Sequence, residues 1–97
     1  MSNSTLHTLN RGPNDLSLLK SLSDATSASD VLLLIEDGVY WALPEFRSKL
    51  LSLNCSHICQ LRPDTEARGI ADTGLTEIDD SGFVTLVTQH KRTISWF

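Results

Sequence analysis

The segment Val31-Leu32-Leu33-Leu34-Ile35 constrains this chain most. Five apolar residues run without a break, with Asp30 before them and Glu36-Asp37-Gly38 after. An amphipathic helix would interrupt such a run with polar positions, and a strand with one wet face would alternate. A short unbroken run suits a strand covered on both faces. It is therefore expected to be the central strand of a layered α/β fold. Glu36-Asp37-Gly38 should end it sharply, because glycine tolerates the positive φ of a tight turn.

The flanking segments fit that frame. Residues 5–9 favour a short first strand, and Asn10-Arg11-Gly12-Pro13 is turn chemistry. Leu18, Leu22 and Ala25 recur at helical spacing beside Leu19, with Asn14 or Asp15 placed to cap the first turn. Val39 to Leu43 fits strand or helix. Pro44 suits a first helical position; Phe46, Leu50 and Leu53 then share a face, and Asn54 suits a C-terminal cap. Residues 56–61 are expected as a strand, Arg62-Pro63-Asp64 as a turn, and 64–68 as a short helix closed by Gly69. A loop over 70–75 precedes a short strand at 76–78. Asp79-Asp80-Ser81 offers N-caps to a helix carrying Phe83-Val84 and Leu86-Val87, and residues 93–97 close as a strand. Strands alternating with helices imply a mostly parallel sheet covered on both faces. The expected fold is a small three-layer Rossmann-like α/β domain with 4–5 strands, spanning residues 1–97 as a single domain.

Composition narrows the function. The chain has 97 residues and 40% apolar side chains, 16 of them Leu but only 6 aromatic, so its core must be thin. The apolar run of five is far short of the roughly 20 residues that cross a bilayer. Met1 to Thr5 has neither the basic start nor the apolar stretch of a secretory signal, and two cysteines do not make a disulfide scaffold. A reducing cytoplasm is the expected compartment. Twelve acidic against eight basic residues give a net charge of −4, which disfavours direct phosphate contacts with nucleic acid.

In a parallel sheet, ligands sit beyond the carboxyl ends of the strands, where the loops 10–13, 36–38 and 62–64 should gather. The first has one glycine and no phosphate-binding fingerprint, so no nucleotide cofactor is expected. Cys55 and Cys59, four residues apart, would share one face of an extended strand about 13 Å apart, too far to bridge. No second ligand pair at zinc spacing accompanies them, so no metal is expected. Cys59 suits a buried apolar position. His7 suits a packed, hydrogen-bonded histidine, His90-Lys91-Arg92 a helix C-terminus, and Glu36 and Asp37 a solvated turn. No catalytic constellation assembles. Tyr40-Trp41 and Trp96-Phe97 hold four of the six aromatics. These rings divide between filling the core and facing a partner, and Tyr40, Trp41 and Trp96 are the candidate partner-interface residues.

Five segments in order carry a resemblance: Leu6-His7-Thr8-Leu9-Asn10-Arg11, Leu32 to Leu43, Ala67-Arg68-Gly69-Ile70, Ile78 to Val87, and Ile94-Ser95-Trp96. Together they resemble the DsrH/TusB family over nearly the whole chain. The resemblance implies a DsrE/F/H-like fold and a non-catalytic, cytoplasmic subunit of a sulfur relay. It implies assembly with two related small subunits, TusC- and TusD-like, as a heterohexamer supporting 2-thiolation of the tRNA wobble uridine. The alternatives are a DsrH-like subunit of dissimilatory sulfur oxidation, or a persulfide-carrying sulfurtransferase using Cys55 or Cys59. In the DsrH branch a first-helix cysteine falls at the position of Leu22, so its absence here favours the TusB branch. No family role carries over to Cys59.

Overall fold

A computed structural model describes residues 4–14, 17–55 and 57–96. The elements run β1 (Thr5–Leu9), α1 (Ser17–Ala25), β2 (Val31–Leu34), a 3₁₀ helix (Glu36–Ala42), α2 (Pro44–Leu50), β3 (His57–Leu61), α3 (Arg62–Ala67), β4 (Thr76–Ile78), α4 (Asp80–Gln89) and β5 (Arg92–Trp96). All strand pairings are parallel, in the order β4-β3-β2-β1-β5. The apolar run is thus the middle strand. Among the described residues no helix is long and apolar enough to cross a membrane.

The register shows why β2 cannot alternate. Leu32 and Leu34 pair beside His7 and Leu9 on one side and Ile58 and Gln60 on the other. That face packs against Leu22 of α1, Val39, Trp41 and Ala42 of the 3₁₀ helix, and Leu50 and Leu53 around α2. Leu33 points the other way with Leu6 and Cys59, and there Phe83 and Leu86 of α4 cover it. Burial is unequal. The first face is sealed by several elements, whereas α4 has no fully buried residue and β5 is exposed along most of its length.

Three expectations are corrected. The chain does not make a tight turn after β2. It enters a 3₁₀ helix, and the positive φ falls on Glu36 (49°) while Gly38 is not left-handed. Gly38 is required for a different reason: a Cβ there would sit 1.8 Å from the Leu9 carbonyl oxygen. That oxygen already accepts the Ile35 N–H at 3.0 Å, so the 3₁₀ helix lies directly against the end of β1. Arg62-Pro63-Asp64 is the first turn of α3, with the chain passing from β3 into the helix without a loop. α2 ends at Leu50, so Asn54 is not its cap. Asp15, Ser56 and Phe97 lie outside the described residues.

Candidate functional site

The three loops expected at the carboxyl edge do meet there. Asn10 Nδ2 donates to Glu36 Oε1 at 3.3 Å, and the Glu36 N–H donates to Asp64 Oδ2 at 2.6 Å. The Arg68 Nε and Nη2 groups both donate to Asp37 Oδ1, at 3.1 and 3.0 Å. The Arg68 guanidinium also lies 6.0 Å from the centre of the Tyr40 ring. A cleft of about 530 Å³ between Asn10, Arg11, Gly12, Asn14 and Asp37 continues into a groove where Tyr40, Leu43 and Phe46 meet Pro13. Here the acidic side chains serve as ties between loops. They bond the Asn10 amide, the Glu36 backbone N–H and the Arg68 guanidinium, which is poor preparation for acid–base work.

The aromatic residues separate. Trp41 is fully enclosed, stacks edge-on to Phe46, and its Nε1–H donates to the Arg11 carbonyl at 2.9 Å. It is a core residue that fixes the first loop, and it offers no surface to a partner. The expectation for Trp41 is corrected on that ground. The sequence gives no cue, since a tryptophan beside a half-exposed tyrosine reads the same in either role. Tyr40 and Trp96 are only partly buried.

Trp96 belongs to a polar chain that runs beneath the sheet. Its Nε1–H donates to His7 Nδ1 at 3.0 Å, and the rings lie 6.1 Å apart. Indole nitrogen only donates, so Nδ1 must accept and the His7 proton sits on Nε2. Nε2–H then donates to Asp30 Oδ2 at 2.9 Å. Asp30 also accepts the Thr5 N–H on Oδ1 at 3.0 Å and the Ser27 N–H on Oδ2 at 3.1 Å. Burial pushes the Asp30 carboxyl up, but the bonds from His7, Thr5 and Ser27 outweigh it and hold it below its ordinary value. His7 is fully buried. It is the packed, hydrogen-bonded histidine expected from the sequence, and its orientation joins β5, β1 and the start of β2.

The thiols are poorly placed for chemistry. Cys59 lies in β3 under α4, 2% exposed, and burial pushes its thiol up to about 11. Cys55 precedes β3 and packs half-buried against the opposite cluster, so the two do not share a face. Burial raises the Cys55 thiol too, and the negative charge of Asp30 adds to this. A reactive thiolate wants the reverse environment. His90 Nδ1 meets the Leu86 carbonyl at 2.7 Å, closing the end of α4. Among the described residues no group of three or more His, Cys, Asp or Glu could hold a metal ion. A further polar cluster escaped sequence reasoning. Glu77 accepts from Thr65 Oγ1 at 2.7 Å and Gln60 Nε2 at 3.0 Å, tying β4 to α3 and β3.

Comparison with known proteins adds four findings. The family model described as DsrH like protein matches residues 11–93. A protein TusB of Pectobacterium parmentieri is 34% identical over 96 residues, covering 94% of this chain and 99% of that protein. A protein TusB of Serratia proteamaculans is 37% identical over 97 residues, with the same coverage. The solution NMR structure of protein Tm0979 from Thermotoga maritima superposes with a TM-score of 0.68 at 24% identity, over 88% of this chain and 92% of that one. This last likeness bears on fold alone.

Proposed function

Because the chain belongs to the DsrH family, we propose that it is a non-catalytic subunit of a sulfur relay of the TusB type, working in the cytoplasm in support of 2-thiolation of the tRNA wobble uridine. In this proposal it assembles with two related small subunits, TusC- and TusD-like, into a heterohexamer, and a partner carries the sulfur.

The observation that supports a non-carrying role most is the state of the two thiols. A sulfur carrier presents a thiolate to an incoming persulfide. Cys59 is sealed beneath α4 with its thiol raised to about 11, and Cys55 is half-buried with its thiol also raised. Leu22, where the resemblance places the cysteine of the DsrH branch, is wholly buried in the main cluster. The chain carries a packed leucine there and no cysteine, and that lack is what favours the TusB branch. The net charge of −4 fits a subunit that contacts proteins and leaves RNA to others.

Tyr40 and Trp96 are the proposed partner-facing aromatics. Tyr40 lines the groove beside Leu43 and Phe46, and Trp96 ends the exposed edge strand. The test is native mass spectrometry of the chain co-expressed with its genomic neighbours. The expected species contains this chain and two small α/β partners in equal copy number. Recovery of the chain alone, folded and with the neighbours expressed, contradicts the proposal.

A further inference from the structure

The last strand is thinly fastened. β5 pairs with β1 alone, and Arg92, Thr93, Ile94 and Ser95 are all exposed. Near its end the Asn10 N–H reaches the Trp96 carbonyl at 3.3 Å, and Thr8 Oγ1 donates to Ser95 Oγ at 3.2 Å. Both bonds are long. The shorter tie is the one from Trp96 Nε1–H to His7 Nδ1, at 3.0 Å.

That tie depends on a lone pair that a proton can take. Neutral His7 carries its proton on Nε2 and presents Nδ1 as the acceptor, so a second proton enters at Nδ1. The imidazolium then donates from both nitrogens. Nε2–H keeps Asp30 Oδ2, 2.9 Å away, and that bond gains charge. Nδ1–H meets the Trp96 Nε1–H, donor against donor, with no acceptor left between them. The charged surroundings decide whether this state can form in place. Asp30 favours it, and its carboxyl, held below the ordinary value, stays ionised through mild acid. Arg92 of β5, on the same sheet face beside Thr5, opposes it. Cys55 feels the charge of Asp30 but its raised thiol is neutral. On the β2 side His7 meets apolar Leu32. Lys20 and Asp24 of α1 pair with each other at 3.7 Å on the open side of that helix.

We propose that His7 is a pH-dependent latch on Trp96. Neutral, it holds the indole against the sheet through Nδ1. Protonated, it keeps Asp30 and releases the indole, and the end of β5 loosens with it. Release stays local because little else fastens this end of the strand. The latch belongs to the isolated chain and does not depend on the sulfur-relay reading. Its consequence for assembly, a changed surface around Trp96 in mild acid, rests on the reading of Trp96 as partner-facing.

The experiment is NMR of the full, nitrogen-15-labelled chain from about pH 8 to about pH 5, the span in which an ordinary histidine takes up its second proton. Circular dichroism at each pH verifies that the fold persists. The His7 ring nitrogens report tautomer and charge, and the Trp96 indole N–H reports the latch. The Trp41 indole, bonded to the Arg11 carbonyl, is the internal control. At the alkaline end His7 is expected as the Nε2–H tautomer. On acidification the Trp96 indole signal should move with the same midpoint as the His7 ring, while the Trp41 signal stays in place. Trp96→Phe removes the competing donor, so His7 should take its second proton about one pH unit higher, a tenfold gain in proton affinity. The proposal is overturned if His7 carries its proton on Nδ1 at the alkaline end, or if it stays neutral until the chain unfolds in acid. It is also overturned if the Trp96 signal stays put while His7 titrates, or if Trp96→Phe leaves the midpoint unchanged. Each of these readouts is made without a partner, so failure of the latch is distinct from failure of the partner reading, which the co-expression test decides.

Discussion

Replacing Asp30 by Asn tests the buried polar chain, and the geometry fixes the expected size of the effect. Among the donors to the carboxylate are His7 Nε2 and the Ser27 amide on Oδ2, and the Thr5 amide on Oδ1. An asparagine side chain offers one oxygen and one NH2 group. In the better orientation its oxygen keeps His7 and Ser27, and its NH2 faces the Thr5 N–H. One charge-assisted bond is then lost, worth about 1.5–3 kcal/mol, and the other two weaken with the loss of charge. The expected destabilisation is about 3–4 kcal/mol, a large share of the roughly 5–15 kcal/mol available to a domain of this size. Trp96 donates to Nδ1, which keeps the His7 proton on Nε2 and so holds the Asn oxygen toward it. Flipping the Asn would only move the clash from the Thr5 N–H to the Ser27 N–H. Urea unfolding followed by circular dichroism and by tryptophan fluorescence measures the loss. The sign of the pH dependence follows from the lowered Asp30 value. Its contribution is fully present above the ordinary value of 3.8 and is lost as pH falls through the lower folded value. Asp30→Asn should flatten that acid limb. A loss under about 1 kcal/mol, or an unchanged acid limb, would refute the reasoning.

Three further outcomes are expected. Gly38→Ala should cost about 3 kcal/mol or more, seen as a drop in urea midpoint, because its Cβ meets the backbone of Leu9 and no side chain can yield. Cys59 should resist alkylation in the folded chain at neutral pH and react on unfolding, with Cys55 the faster of the two by peptide mass analysis. Because the folded Cys59 thiol is raised to about 11 and the unfolded one ionises near 8.5, stability should fall as pH climbs between those values, and Cys59→Ala should flatten that alkaline limb, leaving the share that the raised Cys55 thiol contributes. Tyr40→Ala should leave the fold intact yet lower the yield of co-purified partners, whereas Trp41→Ala should destabilise the chain by about 3–5 kcal/mol as the loss of a buried aromatic, seen as a large drop in urea midpoint.

The order of elements was legible because each carries its own local signal. Val31 to Ile35 announces a doubly covered strand, Pro44 opens α2, and Asp79 caps α4 by accepting the Gly82 N–H at 2.8 Å. What escaped depends on elements meeting across the fold. Gly38 matters through Leu9, 29 positions earlier, and nothing near Gly38 reports that approach. The Trp96–His7–Asp30 chain joins residues 89 and 23 positions apart. It becomes visible only once β5 is known to lie beside β1, where His7 pairs with Ile94 and Leu9 with Trp96. Trp41 was ambiguous because adjacent aromatics do not state which one turns inward. The 3₁₀ repeat decides it, and that helix follows from the close packing at Gly38. The raised Cys59 thiol was the easier inference, since burial in a strand disfavours the thiolate.

The most direct test of the account is the intact mass of each subunit after the co-purified complex is incubated with a cysteine desulfurase and its sulfur donor. The account predicts that a partner gains the mass of a sulfur atom while this chain keeps its unmodified mass. A sulfur adduct on this chain that disappears in Cys55→Ser or Cys59→Ser would contradict it.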